Sequence, residues 1–110
     1  MQDLLDQQCK NYSEDTKKLT NSEIQILLEQ LADWKLDQAS QTISKQFKFK
    51  NYLETIAFTN AVAWVANQQN HHPEITVNYN TCDICYTTHS INHLSINDFI
   101  CAAKINNLDI

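Results

Sequence analysis

Two of the chain's four histidines stand side by side in Asn70-His71-His72-Pro73, ahead of the only proline in a sequence that has no glycine. Imidazole is the one side chain whose unperturbed titration falls near neutral pH, so a histidine cluster can give a proton to one atom and take one from another. Proline fixes its own φ and drives the residue before it out of the helical region. The pair is therefore expected at a corner between a helix and a strand, where two imidazoles can be aimed into one cleft. The same placement has a plain structural reading, because a histidine at a helix C-terminus interacts favourably with the negative pole of the dipole. The rest of the chain has to decide between the two.

Composition removes several classes of function. The chain has 110 residues, enough for one domain with a single core. All eight basic residues are lysines, against thirteen carboxylates, for a net charge of −5. Without arginine there is no bidentate fork for phosphate or guanine, and no positive stripe to release counterions from a duplex, so no direct nucleic-acid partner is expected. The absence of glycine also removes the loops that cradle phosphates in nucleotide-binding folds. Turns fall instead to the abundant asparagines, which tolerate left-handed geometry. No apolar run is long enough to span a bilayer, so no membrane partner is expected. The polar, acidic start carries no visible secretory signal, and a cytoplasmic location is expected.

The four cysteines invite a metal or a disulfide reading. Cys82 and Cys85 have C-x-x-C spacing, but their segment, Cys82-Asp83-Ile84-Cys85-Tyr86-Thr87-Thr88, has strand-forming residue types. Residues three apart on a strand face opposite sides of the sheet, so the pair does not converge on one ion. Cys9 and Cys101 are isolated in sequence from each other and from any second ligand. The expectation is four reduced, partly buried thiols and no metal site.

The elements that must position the histidines follow from caps and periodicity. Residues 1–19 are expected as a loosely docked N-terminal arm, and residues 20–110 as a single domain. Thr20-Asn21-Ser22-Glu23 reads as a capping box, after which Ile24, Leu27, Leu28 and Leu31 recur at helical spacing to about Ala32. Trp34 with Leu36, and then Ile43, Lys45, Phe47 and Phe49, alternate as a hairpin around a polar turn. Asn51 with Glu54 caps a second helix. Leu53, Ile56, Ala57, Ala61, Trp64 and Val65 are expected to form its core face, while Phe58 and Val62 widen the apolar surface toward self-association. Ile75, Val77 and Tyr79 alternate as a third strand, and Ile84, Tyr86 and Thr88 as a fourth. On that fourth strand Asp83, Cys85, Thr87 and His89 share the opposite face. Ser95-Ile96-Asn97-Asp98 opens a third helix that buries Phe99, Ile100 and Ala103. The expected fold is α+β, in the order α-β-β-α-β-β-α, a four-stranded antiparallel sheet with helices packed on one face.

Several of these elements in one register resemble the pterin-4a-carbinolamine dehydratase family. The resemblance is carried by His71-His72-Pro73, five residues to Tyr79, nine more to His89 and eight more to Asp98. It extends back through Phe47-Lys48-Phe49-Lys50-Asn51-Tyr52 and Ala57-Phe58-Thr59-Asn60-Ala61-Val62, and forward through Thr87-Thr88-His89 and Asn97-Asp98-Phe99-Ile100. It covers roughly residues 20–104.

The resemblance implies an enzyme that removes water from 4a-hydroxytetrahydrobiopterin to give the quinonoid dihydropterin, with no metal or organic cofactor. It also implies a pterin-recycling role beside an aromatic amino acid hydroxylase, and assembly as a homodimer or homotetramer. Carried over, His71 and His89 are the acid and base pair, in either order, and His72, counted with them as catalytic, places the pterin and helps with proton traffic. Asn70, Thr87, Thr88 and Ser90 line the substrate pocket, and Pro73 holds the corner rigid. Asp98 is left between two roles, helix capping and support of the site. The alternative on the same fold is a non-catalytic dimerisation or coactivator-type module, which has no need of three histidines. The chain departs from the family pattern at Asn67, where an acidic residue usually stands, at Ile75, where an aromatic is common, and at His93, read here as a surface residue.

Overall fold

The computed structural model describes residues 3–13 and 16–109. Thr20 Oγ1 accepts from the backbone N of Glu23 at 3.1 Å, and Glu23 Oε1 accepts from the backbone N of Thr20 at 2.8 Å. This reciprocal cap opens helix α1, Asn21–Glu29, whose Ile24 and Leu27 enter the core. The chain turns through Asp33, at φ 67°, into the hairpin of β1, Lys35–Asp37, and β2, Thr42–Lys48. Asn51 Oδ1 accepts from the backbone N of Glu54 and starts α2, Tyr52–Gln69, which Asn70 closes in the left-handed region at φ 50°. Strands β3, Glu74–Val77, and β4, Thr81–Tyr86, follow, and a third cap at Ser95 opens α3, Ile96–Asn106. In a chain without glycine, Asn70 and Asn92 supply two of the left-handed turns as expected, and Asp33 and Gln41 supply two more.

The four strands form one antiparallel sheet in the order β1-β2-β4-β3, with Ile43 opposite Tyr86 and Ile75 opposite Ile84. The side-chain period of two then sorts the sheet into unlike faces. Ile43, Cys82, Ile84 and Tyr86 lie on the face that meets the helices, where they join Ile24 and Leu27 of α1, Phe58, Val62 and Val65 of α2, and Phe99, Ile100 and Ile105 of α3. Each large apolar side chain buried here contributes roughly 1.5–3 kcal/mol. Phe58 packs its ring 4.5 Å from that of Phe47 and 5.0 Å from that of Phe49. Thr42, Ser44, Gln46, Asp83 and Cys85 occupy the other, polar face.

Two expectations fail. Of the stripe expected to face the core on α2, Val65 is buried and Ile56, Ala57 and Ala61 are half-buried, but Leu53 and Trp64 are 78% and 63% exposed. Phe58 and Val62, expected to widen the surface toward self-association, are buried in the core instead, with Thr55 and Ala66. A helix apolar nearly all round has no single period to read, and the aromatic side chains of β2 choose the inward face by receiving Phe58. Thr55 is tolerated there because its hydroxyl reaches the carbonyls of Asn51 and Tyr79, at 2.9 and 3.0 Å. The N-terminal arm, expected to dock loosely, is pinned among its described residues. Leu4 is buried in the core, Lys104 Nζ donates to the Leu5 carbonyl, and the backbone N of Cys9 donates to Gln69 Oε1. Those partners lie some 60 to 99 positions away, beyond the reach of any local pattern.

Candidate active site

The end of α2 fixes the first histidine. With Asn70 left-handed, the backbone N of His71 reaches back to the Ala66 carbonyl at 3.1 Å, and Pro73 then hands the chain to β3. The imidazole is held on two more sides. Its Nε2 lies 2.6 Å from Asp98 Oδ1, and its face stacks on the Tyr86 ring, with centroids 5.2 Å apart and planes 12° from parallel. Tyr86 Oη also donates to the His71 carbonyl at 3.3 Å. Burial of the ring pulls the His71 pKa down, but the hydrogen bond and the negative charge of Asp98 outweigh it, and the net shift is upward.

Asp98 is fully buried and has both oxygens engaged. Oδ1 faces His71, while Oδ2 accepts from the backbone N of Ser95 at 2.9 Å and from Thr88 Oγ1 at 2.8 Å. Because Thr88 donates its one hydroxyl proton to Asp98, it accepts from Ser95 Oγ, 2.7 Å away. The capping carboxylate of α3 is thus also the hydrogen-bond partner of His71, with the cap on one oxygen and the imidazole on the other. The usual acidic position four residues before His71 is here Asn67, which is exposed on α2. The carboxylate beside the imidazole is Asp98 of α3.

The third histidine arrives by a different route. β4 stops at Tyr86, Thr87 Oγ1 donates to the Gln41 carbonyl at 2.7 Å, and a single 3-10 turn, His89–Ile91, follows, closed by Asn92 at φ 50°. That turn carries His89 to the margin of the sheet. There Asn70, His71, His72, Thr87, Thr88, His89 and Ser90 line one open pocket of about 230 Å³. Pro73 and Asp98 are not part of its wall; Asp98 reaches it through His71. The fourth strand, expected to carry Thr87 and His89 on one face, ends at Tyr86 because the chain turns there; Cys85, Thr87 and His89 still border a second hollow of about 240 Å³.

One side chain differs from its sequence reading, and two have contacts that the sequence did not signal. His93 is not a free surface residue: it is half-buried, and its Nε2 lies 3.0 Å from the Leu19 carbonyl, which joins the turn after β4 to the start of α1. Thr88, on the same alternation as Ile84 and Tyr86, is 4% exposed, and its hydroxyl is taken by Asp98 and Ser95. The stacking of Tyr86 on His71 had no signal in the sequence beyond an aromatic on the buried side of β4. Cys82 and Cys85 do lie on opposite faces, the first buried and the second half-exposed.

A family model described as pterin 4 alpha carbinolamine dehydratase matches residues 17–108. A protein of Nitrosospira multiformis, named provisionally as a pterin-4-alpha-carbinolamine dehydratase, is 51% identical over 96% of this chain and 92% of its own length. One from Nitrosomonas eutropha with the same provisional name is 50% identical over 96% of this chain and 93% of its own. Among solved structures, a transcriptional coactivator/pterin dehydratase from Brucella melitensis superposes with a TM-score of 0.78 at 33% identity, over 82% of this chain and 96% of its own. A pterin dehydratase-like RuBisCO assembly factor of the alpha-carboxysome, at 22% identity and a TM-score of 0.60 over 68% of this chain and 87% of its own, shares the fold.

Proposed function

This chain belongs to the pterin-4α-carbinolamine dehydratase family, and on that premise we propose that it dehydrates a 4a-hydroxytetrahydropterin to the quinonoid dihydropterin by histidine acid/base catalysis. The observation that carries the reading is the convergence of His71, His72 and His89 on one pocket, with a buried carboxylate behind the first of them.

The reaction breaks the bond from C4a to its hydroxyl oxygen and forms a double bond between C4a and N5. An acid protonates the departing oxygen, which leaves as water, while a base takes the proton from N5, whose electron pair forms the new bond. His71 suits the first task. Its raised pKa increases the imidazolium fraction near neutral pH, and Asp98 stabilises that cation while fixing the ring. His89, exposed on its turn, takes the N5 proton, and exposed His72 places the flat ring between them. Asn70, Thr87 and Ser90 supply polar contacts at the rim, and Pro73 keeps the corner stiff. The enzyme acts without a metal or organic cofactor, as a cytoplasmic homodimer or homotetramer that recycles the pterin of an aromatic amino acid hydroxylase.

Loss of the 4a-carbinolamine is to be followed with the wild type and with a His71→Ala, His89→Ala double variant whose fold is checked by circular dichroism. The double variant is expected to be slower by about 100-fold or more. Equal rates remove these residues from the mechanism. A wild type no faster than the uncatalysed reaction leaves only a non-catalytic dimerisation module on this fold.

A further inference from the structure

Behind the candidate active site, two cysteines expected to be isolated meet. Cys9 Sγ lies 3.6 Å from Cys101 Sγ, across 92 positions of sequence. Cys101 is fully buried on α3, three residues beyond Asp98, and Cys9 is half-exposed on the N-terminal arm. The arm grips this part of α3 closely. The backbone N of Lys10 donates to Asn97 Oδ1 at 3.0 Å, and Asn97 Nδ2 donates to the Lys10 carbonyl at 2.6 Å. Residues 9 and 10 therefore hold α3 on both sides of the residue that partners His71. Cys82 and Cys85 cannot imitate the pair, because they face opposite sides of the sheet.

We propose that Cys9 and Cys101 are a reversible thiol/disulfide site, closed by hydroperoxides and opened by thiols, that fastens the N-terminal arm to the stretch of α3 bearing Asp98. Division of labour follows from exposure. Contact with the Cys101 sulfur draws the Cys9 pKa down, so the accessible thiol is also the more readily ionised one. The Cys9 thiolate attacks one oxygen of hydrogen peroxide. The O–O bond breaks, and the hydroxide that leaves takes up the proton Cys9 gave to solvent, forming water and Cys9 sulfenic acid. The Cys101 sulfur then attacks the Cys9 sulfur; the S–S bond forms, the S–O bond breaks, and the departing hydroxide leaves as a second water with the Cys101 proton. Two thiols lose two electrons and the peroxide gains them. The sulfurs must close by roughly 1.5 Å to reach bonding distance. Cys101 is set in a packed helix, so the arm makes that movement.

The test uses the full chain, reduced and then exposed to hydrogen peroxide. Expected are the loss of two of the four free thiols, a monomer mass lower by two hydrogens, a peptide linking residues 9 and 101, and reversal by dithiothreitol. Closing so long a loop is expected to raise Tm by about 10 °C. In Cys101→Ala, oxidation is expected to stop at a Cys9 sulfenic acid that dimedone traps. In Cys9→Ser, altered only on the half-exposed arm, no cross-link is expected. Four surviving thiols, a cross-link between two chains, or thiol loss in Cys9→Ser equal to that of the wild type each overturns the proposal. None of these readouts depends on dehydratase activity, so failure here and failure of the catalytic reading are separate results.

Discussion

Helices α1 and α3 open with the same local device and use it differently. At α1, Thr20 and Glu23 exchange hydrogen bonds on an exposed surface, and among the described residues neither side chain bonds to any other group. At α3, Ser95 and Asp98 make the same exchange in the interior, where Thr88 and His71 also reach the carboxylate. In water Glu23 needs only its cap; its pKa is lowered chiefly by the Thr20 backbone and hydroxyl bonds, with a smaller contribution from the charge of Lys17. A carboxylate buried as fully as Asp98 must find donors for both oxygens, since a charge taken out of water is costly unless paired and bonded. Burial thus brings a helix cap into contact with the His71 ring of the candidate site.

Removing the buried partner is the most severe way to break this comparison. Asp98→Ala leaves the Ser95 amide, the Thr88 hydroxyl and the His71 ring without their acceptor. It is expected to cost about 3–5 kcal/mol in urea unfolding and to lower kcat/KM about 100-fold or more. Retained kcat/KM in a folded Asp98→Ala protein would show that the carboxylate serves only the helix.

A gentler change sharpens the electrostatic part. Asp98→Asn keeps shape but removes charge, so the His71 pKa falls back. If His71 acts as the acid, activity lost on the alkaline side is expected at lower pH than in the wild type. An unmoved pH profile would assign the acid elsewhere. The same linkage reads out in stability. The folded-state pKa of His71 is raised above its ordinary value of 6.5, so protonation favours the folded state. The stabilisation is complete below about pH 6.5 and is lost as pH rises through the folded value. Urea unfolding of the wild type against His71→Gln across that window is expected to show the gap narrowing as pH increases.

Smaller effects follow outward along the network. Thr88→Val removes one donor from Asp98 Oδ2 and the acceptor of Ser95 Oγ at nearly constant volume. About 1–3 kcal/mol is expected by denaturant titration, with a loss of rate smaller than that of Asp98→Asn. Thr20→Ala at the exposed box is expected to cost only about 1 kcal/mol and to leave the rate per folded molecule unchanged. If Thr20→Ala slowed the reaction as much as Thr88→Val, the contrast between the two boxes would be lost.

Both boxes were legible as helix starts, because a cap involves residues three apart in sequence. So were the order of elements, the faces of β4 from Thr81 to Tyr86 and the use of asparagine at left-handed turns, each fixed by residue type and a short period. His71, His72 and His89 were identifiable as a set through the spacing that marks the family. The sequence did not disclose that Asp98 has an imidazole on its second oxygen, since His71 is 27 positions away. Nor did it show that Leu53 and Trp64 face outward, or that Cys9 meets Cys101.

What the sequence by itself determined, then, is the helix caps, the order of the elements and the faces of β4 from Thr81 to Tyr86, together with membership of a family, because each rests on neighbours within about one helical turn or along one strand. The tertiary structure alone decided which apolar face of α2 turns inward, which carboxylate stands behind His71 and which thiols touch. Those choices depend on how separate elements pack and on which buried polar groups must find partners, and residues far apart in the chain settle both together.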